Sequence, residues 1–172
     1  MAEEQGFVGM DEGFANGADT MPQVGMISQY VKDLSFENPN APAVYQWQAQ
    51  PSIDVQFNIG AATVGEDVHE VSLKIEVTAS ADGNTAFAVE ILYAGLFAIR
   101  NVPDEQMQPF LLAEAPRLLF PFARRVIADM TAEGGFPPFL IEPIDFAGVY
   151  AAQRAASEGG EGPGVSGMIQ QA

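Results

Sequence analysis

Four segments of the chain alternate apolar and polar side chains, and this alternation constrains the fold more than any other feature. The segments are residues 30–37, 52–59, 68–79 and 85–99. Successive side chains of a β-strand point to opposite faces, so each segment is predicted to be a strand with one apolar and one polar face. Between the last two segments, Asp82-Gly83-Asn84 has the composition of a hairpin turn.

The pattern changes after Pro103, where residues 104–133 have a helical composition. Proline removes a backbone donor and kinks a helix, and both Pro116 and Pro121 lie within this stretch. We therefore expect a short helix to about Ala115 and, after a break, a longer one.

Residues 136–142 are predicted to form an extended apolar loop, and residues 143–156 a short helix that begins at a proline. Strands followed by helices are typical of the α+β class. The predicted fold is a four-stranded antiparallel sheet with a long helix and a short C-terminal helix packed on one face.

Both ends of the sequence are predicted to be flexible tails. Residues 1–28 form an acidic N-terminal tail, residues 29–156 the folded domain, and residues 157–172 a Gly-rich C-terminal tail. The start lacks the basic and apolar regions of a signal peptide, and no apolar run approaches a membrane span. We expect a cytoplasmic protein without direct membrane insertion.

Composition limits the chemistry and the partners. The formal net charge of −16 disfavours nucleic acid and anionic lipid. The chain has no cysteine, and its one histidine, His69, shares the strand phase of Val71 and Leu73. Phosphate-binding and nucleophile-elbow motifs are absent from the sequence. We therefore expect no catalytic residue, no metal site and no cofactor.

The polar faces of the predicted strands carry mostly acidic side chains. These are Asp33, Glu37, Asp54, Glu70, Glu76 and Glu90, against a single Lys74. In the first strand, alternation assigns Tyr30, Lys32, Leu34 and Phe36 to the apolar face. The acidic face is either a plain solvated surface or a docking surface for a basic partner, and alternation alone leaves both open.

Aromatic and apolar residues also occur in predicted loops. Tyr45 and Trp47 lie between the first two strands, and several more surround the connection between the helices. Such residues either cap the core or bury at an oligomer interface, or they line a groove that accepts varied apolar peptides. The residues themselves leave both interpretations open.

Three stretches of this sequence resemble the SecB export chaperones. They read YVKDLSFENPNAP, VTASADGNTAFAVEILYAGLFAI and EAPRLLFPFARRVIADMTAEGGFPPFLIEPIDFAGVYAAQ. The resemblance runs in order from about residue 30 to 153, so residues 29–156 are identified as a SecB-like domain. It implies a homotetramer, a dimer of dimers, that holds unfolded preproteins in the bacterial cytoplasm. It also implies delivery of these clients to SecA, the motor of the Sec translocon.

The resemblance also implies two kinds of binding residue. Those for SecA are Asp33, Ser35, Glu37 and Glu90 on the acidic sheet face. Those for client polypeptides are Phe36, Tyr45, Trp47, Phe122, Phe139, Leu140, Phe146 and Tyr150. The competing hypotheses are an adaptor oligomer that binds one folded partner and an enzyme with a small-ligand pocket between sheet and helices.

Overall fold

A sheet with helices on one of its faces makes up the described part of the chain. The computed structural model describes residues 20–158 and 165–171. Its strands are β1 (Gln23–Glu37), β2 (Ser52–Gly65), β3 (Val68–Ala81), β4 (Asn84–Arg100) and β5 (Val165–Gln171). Its helices are α1 (Asp104–Pro109), α2 (Ala115–Glu133) and α3 (Phe146–Ser157), with a 3₁₀ turn at Ala43–Gln46 and a π-helical turn at Phe110–Glu114.

The strand order across the sheet is β1-β4-β3-β2-β5, and every neighbouring pair is antiparallel. At the β3–β4 turn, Asp82 and Gly83 both have positive φ, at 51° and 77°. Two such residues give the backbone twist that suits a tight hairpin. The predicted antiparallel sheet of four strands, with a long helix and a C-terminal helix on one face, is confirmed.

Regular structure also extends into both segments that were predicted to be tails. Strand β1 begins at Gln23 and not at residue 30, and β5 adds a fifth strand inside 157–172. The sequence of β5, VSGMIQQ, contains a glycine in a Gly-rich context, which hid its alternation. The other parts of the predicted tails, 1–19, 159–164 and residue 172, lie outside the described residues.

The core lies between the sheet and α2. We call the sheet face beneath the helices the inner face and the opposite one the outer face. Inner-face residues of β3, such as Leu73 and Ile75, are fully buried, whereas their outer-face neighbours remain partly exposed. Helix α2 supplies Leu119 and Ile127, which are also fully buried. This one-sided cover is the arrangement that strand alternation predicts.

Residues 104–133 form one continuous helical segment, so the expected break near Ala115 is wrong. A proline ring clashes with the carbonyl four residues earlier. For Pro116 that residue is Leu112, which lies within the π-helical turn. The wider turn accommodates the proline without ending the helix.

Helix α3 begins at Phe146 and not at residue 143, because the Asp145 side chain caps it by accepting a hydrogen bond from Gly148 N at 3.0 Å.

Strand β1 contains two bulges, at Ile27 and Lys32, and the side chains between them change face. Consecutive β4 residues Leu92 and Tyr93 pair with Asp33 and Val31, which leaves Lys32 as an extra residue. A one-residue insertion moves the preceding side chains to the other face, and the second insertion moves them back. The face assignment from alternation is therefore wrong for Tyr30, Val31 and Lys32, although it holds for the residues after them.

Candidate functional site

The outer face carries two neighbouring rows of mostly polar side chains that run across four strands. One row consists of Ser35, Glu90, Glu76 and Gln56, which pair in that order from β1 to β2. The next row consists of Glu37, Ala88, Thr78 and Asp54. Together the two rows line a shallow depression of about 320 Å³. The helices do not cover it, so this acidic surface is open.

Lys74 lies inside the acidic outer face. Its Nζ is 2.9 Å from Glu76 Oε1 and 3.3 Å from Glu90 Oε1. Glu76 and Glu90 are direct cross-strand partners, an arrangement that repels when both are charged. The Lys74 ammonium offsets that repulsion: its hydrogen bond holds the pKa of Glu76 below its usual value, and the two glutamates raise the pKa of Lys74.

A second cation lies on the outer face, contrary to the sequence prediction. Because of the bulge at Lys32, Tyr30 and Lys32 reach the outer face and not the apolar one. Lys32 Nζ donates to Glu70 Oε1 at 2.6 Å, and the Tyr30 hydroxyl donates to Glu70 Oε2. The hydrogen bonds from Lys32 and then Tyr30 lower the pKa of Glu70. Lys74 is therefore not the only base on this face.

The four residues predicted to bind SecA lie together on the outer face. Ser35 pairs directly with Glu90, and Asp33 and Glu37 flank Ser35 at alternate positions of β1. Within residues 20–158 and 165–171, neither Asp33 nor Glu37 takes part in an ion pair. Their charge is thus not offset by a close cation.

The residues predicted to bind clients fall into separate places. Phe36 and Tyr45 belong to an aromatic cluster at the end of β1. Phe36 stacks near Phe87 at 6.3 Å between ring centroids, and Tyr45 lies 5.7 Å from Phe136. The Tyr45 hydroxyl donates to the Gly134 carbonyl at 2.8 Å, which ties the loop after β1 to the end of α2.

Trp47, Phe139 and Leu140 lie in the two loops near this aromatic cluster. Trp47 is half-buried and borders a shallow depression beside the β3–β4 turn. Phe139 N donates to the buried Thr131 Oγ1 at 2.9 Å, which fixes the loop before α3 to α2. Leu140 next to it is 56% exposed.

Phe122 and Phe146 lie on different sides of α2. Phe146 is only 2% exposed and packs edge-on against both Phe57 and Phe120, each at 5.7 Å. Phe122 is 46% exposed and stacks on Tyr93. Tyr150 is half-buried on α3. The structure therefore does not gather the predicted client residues into one groove.

Sequence reasoning missed three features of these surfaces. Thr131 anchors the apolar loop, and Asn38 Nδ2 donates to Tyr45 Oη at 2.8 Å. A threonine within the apolar stripe of a helix and an asparagine after a strand are the signals for such anchors. The third feature is an uncovered apolar strip on β1, formed by Val24, Met26, Val31 and Leu34, which are 37–46% exposed.

His69 lies on the inner-face phase, as predicted, with its Nδ1 3.3 Å from Thr63 Oγ1. Among the described residues there is no group of three or more His, Cys, Asp or Glu side chains that suits a metal ion. In the same part of the chain, no helix has both the length and the apolarity to cross a membrane.

An antiparallel sheet with one face packed by helices, an open acidic face and exposed apolar loops defines an α+β protein that presents two chemically different surfaces. The family described as "Preprotein translocase subunit SecB" matches residues 17–157. The chain belongs to the SecB family, whose curated members are named protein-export proteins.

Curated relatives agree with this membership, and a solved structure has a similar fold. The protein-export protein SecB of Sphingopyxis alaskensis is 65% identical over 144 residues, covering 84% of each chain. That of Zymomonas mobilis is 61% identical and covers 81% of this chain and 86% of its own. A SecB-like chaperone of Mycobacterium tuberculosis, solved with a peptide of the HigA1 antitoxin, has a TM-score of 0.60 at 15% identity. It covers 70% of this chain and 90% of its own, and this likeness concerns the fold.

Proposed function

We propose that this chain is a cytoplasmic chaperone of protein export that binds unfolded preproteins, keeps them competent for translocation and delivers them to SecA. The observation that carries the proposal is the separation of two surfaces on a SecB-family fold. The acidic residues lie on the outer face, and the exposed aromatic residues lie in the loops and helices. A carrier of this kind needs separate surfaces because the motor must dock while the client is still bound.

The SecA site is the corner of the outer face formed by Asp33, Ser35, Glu37 and Glu90. These side chains share one face of two paired strands, and they form an anionic surface without a helix above it. Such a surface attracts a basic partner and accelerates its association at low ionic strength. Cationic groups on SecA are the expected counterpart.

The client site consists of apolar patches and not one groove. Tyr45, Phe122 and Leu140 are each about half exposed; Tyr45 and Leu140 lie in loops, and Phe122 lies on α2. Burial of apolar area contributes about 25 cal/mol per Å² before ordering costs. Several weak patches that bind one long unfolded chain gain affinity by avidity.

The working form is a homotetramer, built as a dimer of dimers. Strand β1 lies at an edge of the sheet, so one side of its backbone is open to pair with another strand. Its uncovered inner-face strip includes Val31 and Leu34, and α2, which packs on the same face of the sheet, exposes Leu118. Exposed apolar strips along a long edge strand support burial against a second copy.

The activity is binding and not catalysis, and it needs no cofactor. A holdase acts by mass action, because it binds the unfolded state of a client and not the folded state. Strong negative charge keeps a protein with exposed apolar patches soluble.

The decisive experiment measures two activities of the same preparation. The chain is expected to suppress aggregation of a chemically denatured test protein, and to bind SecA in calorimetry without ATP. An adaptor for one folded partner binds SecA but leaves aggregation unchanged. Failure to suppress aggregation at a several-fold molar excess contradicts the proposal.

A further inference from the structure

Gln29 is a polar side chain within the uncovered apolar strip of β1. It pairs with Gly95 of β4 on the inner face, where Met26 and Val31 lie on either side of it. Its Oε1 is buried, and no donor within residues 20–158 and 165–171 reaches it. A buried acceptor without a partner costs free energy, and native structures nearly always supply one. We expect the partner to come from outside this copy of the chain.

The position of α2 explains why Gln29 is only partly covered. A Cβ atom built on Gly95 lies 2.8 Å from Leu119 Cδ2, so α2 packs directly on β4 at this point. Gln29 lies one strand further out, at the border of this cover, and Met26 and Val31 beside it are 39% and 43% exposed. Because β1 is the edge of the sheet, its open side can take a further strand.

The two bulges of β1 limit how a second β1 strand can align with it. They lie at Ile27 and Lys32, on either side of Gln29. In an antiparallel pair of identical strands the twofold axis passes through a residue position, because opposed pairs alternate between two hydrogen-bonding types. Inner-face residues must also oppose inner-face residues. Outside the bulges themselves, both conditions hold over most of β1 only for an axis at Gln29 or at Tyr30.

Both alignments bring the Gln29 side chains of the two copies together. With the axis at Gln29 they are directly opposed, with Cβ atoms about 5 Å apart, and with the axis at Tyr30 they are diagonal neighbours about 7–8 Å apart. Long side chains span either distance. A glutamine amide has two donors and an acceptor, so the two amides can bond reciprocally. Each Oε1 then gains the donor that its own chain lacks.

The charges along β1 agree with an axis at this place. Its acidic residues, Asp33 and Glu37, lie in the C-terminal half, whereas residues 23–29 carry no charge. Antiparallel pairing about Gln29 or Tyr30 sets the acidic half of each strand against the uncharged half of the other. Like charges directly opposite each other destabilise a strand pair, and this alignment avoids them in a chain of net charge −16.

We propose that Gln29 sets the register between the β1 strands of two copies, through a pair of amide hydrogen bonds at their twofold axis. The inference rests on the proposed function, whose oligomer does not specify how the strands align, and deepens it by naming the residue that aligns them. A polar residue inside an apolar contact selects one alignment because the others leave its hydrogen bonds unmade. Gln29 is thus a residue for specificity more than for affinity.

A disulfide scan in the full-length chain locates the axis. The sequence has no cysteine, so each single variant has one thiol per copy. A disulfide needs Cα atoms within about 7 Å, and in two identical antiparallel strands only a residue close to the axis comes that near to itself. Gln29→Cys and Tyr30→Cys probe the axis, and Met26→Cys and Leu34→Cys are matched controls on the same strand.

One of the two axis variants is expected to form covalent dimers about tenfold faster than either control under mild oxidation, since the control thiols lie too far apart in the same assembly. Equal rates at all four positions, or faster cross-linking of a control, overturn the inference. Light scattering of the unaltered chain tests the proposed function separately. A monomer contradicts the proposed tetramer, and the inference fails with it.

Charge complementation tests whether the two Gln29 side chains meet. Gln29→Glu and Gln29→Lys each place like charges at the axis, so each variant alone is expected to lose the β1 contact and to have a mass below that of the tetramer. An equimolar mixture is expected to recover the larger mass, because opposite charges then meet. The inference is overturned if the variants alone keep the mass of the unaltered chain, or if both are folded by circular dichroism and their mixture does not regain that mass.

Discussion

Lys74 Nζ lies 3.3 Å from Glu90 Oε1, between strands β3 and β4 on the outer face of the sheet. The same ammonium is 2.9 Å from Glu76, the cross-strand partner of Glu90. One cation thus offsets part of the negative charge within the surface that we propose for SecA. Lys32, another base on this face, pairs with Glu70 and not with these residues.

Removal of Lys74 is expected to strengthen SecA binding. The variant Lys74→Met leaves Glu76 and Glu90 without their cation and makes the outer face more negative. Exposed ion pairs are individually weak and are screened by salt, so the gain is at most about fivefold at low salt and smaller at high salt. Calorimetry at two ionic strengths measures it. Arg125→Met, which removes a more exposed base from α2, is the control and should have little effect.

Removal of acidic side chains from the outer face is expected to weaken SecA binding. Asp33→Ala and Glu90→Lys should each weaken SecA binding, the second more strongly because it reverses a charge. Both should leave the binding of an unfolded client unchanged, since the side chains lie on the face away from the apolar patches. Asp129→Ala on α2 controls for net charge alone. Unchanged SecA affinity in both outer-face variants contradicts the assignment of this surface.

The faces of β2, β3 and β4 could be predicted from sequence because their alternation is uninterrupted through the positions that line the core. Leu73 and Ile75 are buried, and Glu76 lies on the outer face, as period two requires. In β1 the bulge at Lys32 reverses the order before it. Two polar residues, Tyr30 and Lys32, on a face predicted to be apolar could have indicated the bulge. A bulge has no fixed sequence pattern, however, so its position could not be predicted.

Two other features depend on tertiary contacts that sequence does not encode locally. Phe146 was predicted to face clients, yet it is buried because Phe57 and Phe120 meet around it. Strand β5 exists because the β2 edge is available to pair with it, and its glycine fits against Phe57. Phe57 and Phe120 are distant from Phe146 in the sequence, and β2 is distant from β5. Local pattern and propensity therefore do not predict these contacts.

The stability of the outer face is expected to depend on pH through Glu70. Its hydrogen bonds to Lys32 and Tyr30 lower its folded pKa below the usual 4.5. A lowered pKa contributes stability that is fully present above that value and is lost as pH falls through the folded pKa. The difference in melting temperature between the unaltered chain and Glu70→Gln should thus be constant at neutral pH and shrink below about pH 4.5.

The same pH series in a Lys32→Met background tests whether Lys32 causes the lowered pKa of Glu70. Without the Lys32 ammonium, the Glu70→Gln change should alter stability less, and its pH dependence should flatten. If the two backgrounds give the same curve, Lys32 is not the source of the Glu70 pKa shift.

The loop between α2 and α3 is expected to loosen when Thr131 loses its hydroxyl. Thr131→Val keeps the shape of a fully buried side chain but leaves Phe139 N–H without its 2.9 Å acceptor. An unsatisfied buried donor costs about 1–3 kcal/mol. Hydrogen exchange of the Phe139 amide should become faster, and the urea midpoint should fall. Thr131→Ser keeps the acceptor, so that amide should stay protected, and equal exchange in the two variants contradicts the anchoring role.

A dimer of dimers requires two different self-complementary contacts, and the structure offers two uncovered apolar surfaces for them. One is the inner-face strip of β1, where Val31 is 43% exposed, and the other is α2 around Leu118, which is 39% exposed. If each surface makes one contact, Val31→Asp and Leu118→Asp should each turn the tetramer into dimers, and the double variant should give monomers. Light scattering at micromolar concentration measures the mass. Val64→Asp adds the same charge at an exposed apolar position of β2 and should stay tetrameric. Tetramers in both single variants contradict this assignment, whereas monomers in either one show that a single surface carries the whole assembly.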